Sequence, residues 1–160
     1  MDIAKPDGAG RTEQIKLDSA AGHLLEECRM VLPGIQALFG FQLIAVFNQG
    51  FGEKLSGPQQ QLHFAALFLV AVAAGLVMAP AAIHRQTQQR EVSERFIWLS
   101  SWLLMLSMFP LAAGLSLDLY LIGMIVFEAP GISIAFAIIL FAVLMALWLA
   151  LPRHERRMHS

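Results

Sequence analysis

A polar segment, His84 to Arg95 (HRQTQQREVSER), divides the chain into two strongly apolar halves. The segment contains Arg85, Arg90 and Arg95 and almost nothing apolar. Two long hydrophobic runs precede it and two follow it. A positively charged turn between two apolar hairpins is typical of a membrane protein. The pattern therefore predicts four membrane spans with a cytoplasmic connection in the middle.

Composition favours the same class of protein. Of the 160 residues, 57% are hydrophobic and 14% are charged, against roughly 45–50% and about 25% in an average soluble domain. The net charge of −1 gives no overall basic character, so no binding to nucleic acid is expected. Cys28 is the single cysteine and has no partner for an internal disulfide. Charges throughout the first thirty residues are not typical of a cleaved signal peptide, so we expect the first span to direct insertion.

Two segments precede the first predicted span. Residues 1–18 are polar and mixed in charge, and they are predicted to form a flexible cytoplasmic tail. Residues 19–31 carry apolar side chains at helical spacing, with charged residues on the opposite side. We predict an amphipathic helix that lies on the membrane surface. The alternative is a water-exposed lead-in to the first span.

The transmembrane domain is predicted at residues 32–152, with spans at about 32–51, 62–83, 96–118 and 132–151. About twenty helical residues cross a hydrocarbon core of about 30 Å. Short loops force neighbouring helices to be antiparallel, so the predicted fold is an all-α, four-helix antiparallel membrane bundle. The end of the third span has two readings. We expect residues 119–127 to form an outer surface segment. In the alternative, the helix continues past Asp118 and submerges it.

Lysine and arginine predict the orientation. Ten of them fall on one side of a four-span topology and Lys54 alone on the other. The ten are Lys5, Arg11, Lys16, Arg29, Arg85, Arg90, Arg95, Arg153, Arg156 and Arg157. Because cytoplasmic loops carry the excess of positive charge, both termini should be cytoplasmic. The basic hinge and the basic tail, residues 153–160, should contact anionic lipid headgroups.

Small residues repeat along one side of three spans and are the candidates for helix packing. They are Ala71, Gly75 and Ala79 in the second span, Ser100, Ser107 and Gly114 in the third, and Ala142 and Ala146 in the fourth. Such faces let two helix backbones approach closely. Because one compact bundle does not need all three faces, we expect a homo-oligomer or other membrane protein subunits as partners.

Polar residues at or near membrane depth are the candidates for function, because a charge at the bilayer centre costs roughly 2.5–3.5 kcal/mol on insertion scales. Asp118 and Glu128 are the acidic candidates. Each either ends a helix at the outer interface, which we expect, or is submerged and binds a proton or a cation.

The other polar candidates are Gln36, Gln42, Gln49, His84 and Arg85. Gln42 and Gln49 are seven residues apart, so a helix would place them on one face that turns toward other helices. They serve as packing contacts or, alternatively, as part of a substrate path. His84 and Arg85 should cap the last carbonyls of the second span and reach the headgroups. The alternative is a role in gating or in binding a partner.

No motif in the sequence indicates a catalytic, cofactor-binding or metal site. The chain lacks a glycine-rich phosphate loop and a histidine–glutamate pair at metal-binding spacing. We therefore expect no enzyme activity and no cofactor. The leading expectation is a non-enzymatic accessory or scaffolding subunit of a larger membrane complex, or a homo-oligomer. The alternative is a small proton- or cation-coupled transporter that uses an intramembrane carboxylate.

Three stretches resemble a bacterial family of small four-span integral membrane proteins of unknown function. They are residues 27–43 (ECRMVLPGIQALFGFQL), residues 79–85 (APAAIHR) and the ending LWLALP. Members share L-P-G-[VI]-Q at the start of the first span and A-P-x-x-x-H-R at the end of the second. Here these motifs fall on Leu32, Pro33, Gly34, Ile35 and Gln36, and on Ala79, Pro80, His84 and Arg85. The resemblance covers most of residues 24–152 and implies a bacterial inner-membrane protein, and some members carry the label sodium:proton antiporter.

Overall fold

The computed structural model describes residues 8–87 and 94–150, with side chains described for residues 12–85 and 94–148. Within these ranges every regular element is a helix. The elements are α1 (Gly8–Val46), α2 (Gln49–Lys54), α3 (Gly57–Thr87), α4 (Glu94–Phe127) and α5 (Pro130–Met145), which continues into a π-helical turn at Ala146–Ala150. The predicted basic tail, residues 1–7 of the predicted flexible tail, and Arg90 in the hinge lie outside the described residues. Residues 8–18, which the sequence placed in that flexible tail, instead form the start of α1.

Four of the helices are long and apolar enough to cross a membrane. The spans are Thr12–Val46, Gly57–Arg85, Glu94–Phe127 and Pro130–Trp148. Each is long enough for a hydrocarbon core of about 30 Å, which takes about twenty residues of α-helix. The chain is therefore a multi-pass membrane protein, and the predicted all-α class with four spans is confirmed.

The first span belongs to one continuous helix, α1, with 39 residues. The sequence predicted a separate helix at residues 19–31, but α1 passes through this segment and through Pro33 without a break. Buried side chains explain the continuity, because Ala21, Cys28, Ile35 and Gln42 recur every seven residues. A seven-residue repeat keeps one face toward a neighbouring helix along its whole length.

A short break follows α1 and divides the region predicted as the first span. Asn48 caps the N-terminal end of α2, and its side chain accepts a hydrogen bond of 3.1 Å from the backbone N–H of Gly50. This is the usual way in which asparagine satisfies a free donor at a helix start. Gln42 and Gln49 consequently lie on different helices and do not share a face.

The tightest packing joins α3 to α4. The buried residues of α3 are spaced three and four apart, which forms one continuous face: His63, Ala66, Val70, Ala73, Val77 and Pro80. Gly114 of α4 lies against this face. A Cβ atom at Gly114 would be 2.9 Å from Val70 Cγ2 and 3.0 Å from the carbonyl oxygen of Ala66. Only glycine lets the two backbones approach so closely.

The third span does not end at Asp118, because α4 continues to Phe127 without a break. Residues 119–127 therefore extend the helix and do not form the separate surface segment that we expected. Packing against α5 stabilises this extension. Leu121 and Gly123 are buried, and a Cβ atom at Gly123 would be only 2.9 Å from Ser133 Oγ of α5.

The connection between α4 and α5 contains a strained residue. Glu128 has a φ of 51°, in the left-handed region, which costs a residue with a side chain roughly 1–2 kcal/mol. Replacing Glu128 with glycine should raise the free energy of unfolding by up to about 1 kcal/mol, since glycine also loses more freedom on folding. Thermal unfolding in detergent would measure this gain. Glu128→Ala removes the carboxylate and keeps the strain, so an equal gain in both variants would contradict the explanation.

Candidate functional site

Three polar side chains from three helices meet inside the bundle: Gln42 of α1, His63 of α3 and Asp118 of α4. The Nδ1 atom of His63 lies 3.2 Å from Asp118 Oδ1, and its Nε2 atom lies 3.0 Å from the backbone oxygen of Gln42. The side-chain Nε2 of Gln42 donates a hydrogen bond to Asp118 Oδ2. We refer to these three residues as the polar cluster.

Burial separates the polar cluster from its surroundings. Gln42 is 6% exposed and His63 is 7% exposed, whereas the Asp118 side chain retains 20% exposure. His63 lies six residues after the start of α3, which is about 9 Å along the helix, and Asp118 lies nine residues before the end of α4, about 13 Å. The cluster therefore lies inside the helical bundle, and Asp118 provides its partly open side.

Helix periodicity brings the three residues together. Gln42 is the last member of the buried seven-residue repeat of α1, and His63 begins the buried face of α3. Asp118 follows Gly114 by four residues, which is about one helical turn. The close approach of α3 and α4 at Gly114 thus places the carboxyl beside the His63 ring.

The contacts of His63 limit where the hydrogen atoms of the polar cluster can lie. The backbone oxygen of Gln42 only accepts, so Nε2 of His63 carries a hydrogen and donates it. A hydrogen bond across the 3.2 Å contact between Nδ1 and Asp118 Oδ1 then needs one proton shared between the two atoms. The proton is on the ring, which pairs an imidazolium with a carboxylate, or on the carboxyl, which donates to a neutral ring. The polar cluster has zero net charge in both forms.

Two neighbouring features complete the surroundings of the cluster. Phe51 of α2 contacts the His63 ring edge to face, with ring centroids 5.3 Å apart, and so covers one side of it. The side-chain oxygen of Gln42, Oε1, is buried and has no hydrogen-bond partner in the part of the chain that the structure describes. A buried acceptor without a partner is costly. Its position beside a carboxyl would stabilise a bound proton or cation.

The other polar candidates lie outside the cluster. Glu128 is exposed in the connection between α4 and α5, Gln49 is exposed at the start of α2, and Gln36 is exposed on α1. His84 and Arg85 are exposed near the end of α3. Of the seven polar residues that the sequence singled out, the structure brings only Gln42 and Asp118 together.

The small residues considered for helix packing fall into two groups. Those of α4 are buried: Ser100, Ser107 and Gly114. Those of α3 and α5 are mostly exposed: Ala71, Gly75, Ala142 and Ala146, with Ala79 half-buried. A Cβ atom at Gly75 would meet no other atom within 4 Å. Close helix approach within this chain therefore uses the face of α4.

Sequence reasoning missed His63. None of the polar candidates named from the sequence lies within the second predicted span, residues 62–83, although His63 is its second residue. A titratable side chain within an otherwise apolar span is itself a signal of function. The signal is weak at a span end, where a histidine can reach the headgroups. Only the contact with Asp118 distinguishes the two situations.

The described residues contain no group of three or more histidine, cysteine, aspartate or glutamate side chains that could hold a metal ion. The polar cluster instead offers one carboxyl, one imidazole and two carbonyl-type oxygens. Carboxyl and imidazole groups are side chains that exchange protons, and carboxylate and carbonyl oxygens are the type of ligand that hard cations prefer.

Comparison with known proteins yields one match. No curated protein and no solved structure matches the chain. A family model matches residues 10–152, which include the whole polar cluster and all four spans. The chain therefore belongs to this family, described as a family of unknown function (DUF6328).

Proposed function

We propose that this protein is a small proton-coupled cation transporter of the bacterial inner membrane, without enzyme activity. In this proposal the polar cluster of Gln42, His63 and Asp118 binds either a proton or a monovalent cation. The observation that supports it is the 3.2 Å contact between His63 Nδ1 and Asp118 Oδ1 inside the bundle.

Charge balance explains why a proton and a cation would compete. With one shared proton the cluster is neutral, and loss of that proton leaves a charge of −1 and two acceptors that face each other. A charge at membrane depth costs roughly 2.5–3.5 kcal/mol on insertion scales. A monovalent cation bound in place of the proton restores neutrality. The exchange breaks one O–H or N–H bond, releases H⁺ and involves no oxidation or reduction.

Gln42 suits both states of such an exchange. Its amide nitrogen donates to Asp118 when the carboxyl is charged. After a half-turn of the amide, Oε1 would accept from a protonated carboxyl or bind a cation. The partly exposed side of Asp118 supplies the path by which either ion would enter.

The proposed topology is an antiparallel bundle with both termini in the cytoplasm. Support comes from the contacts of His84 with Phe96 and of His63 with Asp118, which occur in opposite order along α3 and α4. The ten-to-one distribution of basic residues supports the orientation. In this topology the polar cluster lies in the outer half of the membrane, and the basic hinge contacts anionic headgroups in the inner leaflet.

Proteoliposomes that contain a pH-sensitive dye test the proposed function. An imposed gradient of Na⁺, Li⁺ or K⁺ should change the internal pH when the wild-type protein is present. Asp118→Asn should reduce the change in internal pH to the level of protein-free vesicles, because a side-chain amide does not release a proton near neutral pH. Glu128→Gln is the matched control, since Glu128 lies in the exposed connection, and it should retain the activity. Wild-type vesicles that behave like empty ones, or full activity in Asp118→Asn, would refute the proposal.

A second function, that of a scaffolding subunit or homo-oligomer, is favoured by α5. This helix packs against α4 and makes only sparse contact with α1 and α3. Ala142 and Ala146 are exposed on it and would allow close approach by another helix. Mild-detergent purification followed by mass measurement tests this role. A monomer without any co-purifying protein would contradict it, whereas a defined oligomer or complex would support it.

A further inference from the structure

A groove of about 640 Å³ lies between α1 and α3. It is at the opposite end of these two helices from the polar cluster. Leu25, Cys28 and Leu32 of α1 form one wall, and Gly75, Ala79 and Ala82 of α3 form the other. The groove exists because the α3 residues are small. A Cβ atom placed on Gly75 would have no neighbouring atom within 4 Å.

Both walls of this groove carry a positively charged side chain. Arg29 of α1 and Arg85 of α3 both line it, together with His84, and its lining contains no acidic residue. Neither arginine forms an ion pair with a residue that the structure describes. Two unpaired guanidinium groups beside an apolar channel are complementary to a molecule with an anionic head and a hydrocarbon tail.

The length of the groove indicates which amphiphile would fit. The lining of α3 runs from Gly75 to Arg85, which corresponds to about 15 Å of helix. This is half of a hydrocarbon core of about 30 Å, so it equals the depth of one leaflet. Arg85, at the end of this stretch, then lies at headgroup level, where its long side chain reaches the lipid phosphates, and Arg29 lines the groove from α1.

We infer that the groove between α1 and α3 is a binding site for one anionic phospholipid. Arg29 and Arg85 hold the headgroup phosphate, and one acyl chain lies along the small residues Gly75, Ala79 and Ala82. A lipid bound there would hold α1 against α3 at the end of the two helices that is far from the polar cluster. It is independent of the proposed transport function.

Native mass spectrometry of the full chain tests this inference. Protein released from mild detergent is mixed with phosphatidylglycerol or phosphatidylcholine, and the fraction with one bound lipid is measured. Phosphatidylglycerol should bind about tenfold more tightly, because it has a net negative charge, whereas the choline ammonium of phosphatidylcholine offsets the charge on its phosphate. Arg29→Gln and Arg85→Gln should each remove most of this preference. Lys54→Gln, which lies outside the groove, should retain it.

A second variant tests the apolar part of the site. Gly75→Leu should extend a side chain into the channel and weaken binding of both lipids, since its Cβ atom would meet no atom within 4 Å. Equal binding of the two lipids, or an unchanged preference in both arginine variants, would overturn the inference. Binding of glycerol phosphate as tightly as of phosphatidylglycerol would also overturn it, because the site would then recognise the phosphate alone.

Discussion

Replacing His63 with leucine should lower the free energy of unfolding by about 1–3 kcal/mol, because it leaves the partly buried Asp118 carboxyl without its histidine partner. Asp118 would then have only the Gln42 amide as a donor. Asp118→Leu should also destabilise the protein, since it leaves both the His63 ring and the Gln42 amide without their acceptor. Unfolding in nanodiscs, followed by helical circular dichroism, measures these losses.

The double variant His63→Leu/Asp118→Leu distinguishes an ion pair from simple packing. Removing both partners of a buried pair is often neutral or stabilising, because neither group remains uncompensated. The double variant should therefore be more stable than either single variant, with a coupling free energy of about 1–3 kcal/mol. It should nevertheless have no proton–cation exchange, since the proton-binding groups are gone. Stability and transport would thus be separated in one protein.

His84→Leu is the matched control for this cycle. His84 lies on the same helix and also contacts an aromatic ring, but it is exposed. Its replacement should change stability by no more than about 0.5 kcal/mol, as expected for a surface position. If the losses in His63→Leu and Asp118→Leu were simply additive in the double variant, the two side chains would not form a coupled pair.

Alanine at Gly114 and alanine at Gly75 should change stability in opposite directions. At Gly114 the added methyl group would be 3.0 Å from the backbone oxygen of Ala66, which cannot rotate away. The helices must separate, at a cost of about 1–3 kcal/mol. At Gly75 the methyl group meets no atom within 4 Å, so the better helix propensity of alanine should stabilise by about 0.5–1 kcal/mol.

The Gly114 variant should also impair the polar cluster. Asp118 follows one turn later on α4, so separation of α3 and α4 would lengthen its contact with His63. Gly114→Ala should therefore reduce proton–cation exchange, while Gly75→Ala should leave it unchanged. The same nanodisc unfolding and proteoliposome measurements apply. Equal stability of the two alanine variants would contradict the close contact at Gly114.

Much of the architecture was predictable because membrane insertion depends on local composition. A run of about twenty apolar residues crosses the bilayer wherever it occurs, so four spans could be read from the chain without knowledge of any contact. Ser100, Ser107 and Gly114 also formed a visible repeat of small residues, since helical periodicity is a local property. The prediction of a separate helix at residues 19–31 was wrong, because the seven-residue repeat of Ala21, Cys28, Ile35 and Gln42 that makes α1 continuous is recognised only when its partner helix is known.

The sequence by itself determined that this chain is helical, apolar and multi-pass, because each of those properties depends on residues close together in the chain. Only the tertiary structure decided that Gln42, His63 and Asp118 form one site. These residues come from three helices, and His63 and Asp118 are 55 positions apart. Their contact depends on how closely α3 and α4 pack at Gly114, and no local pattern encodes that distance. Tertiary structure alone also decided the role of Gly75. Ala71, Gly75 and Ala79 have the spacing of a helix-packing face, yet Gly75 lines a groove.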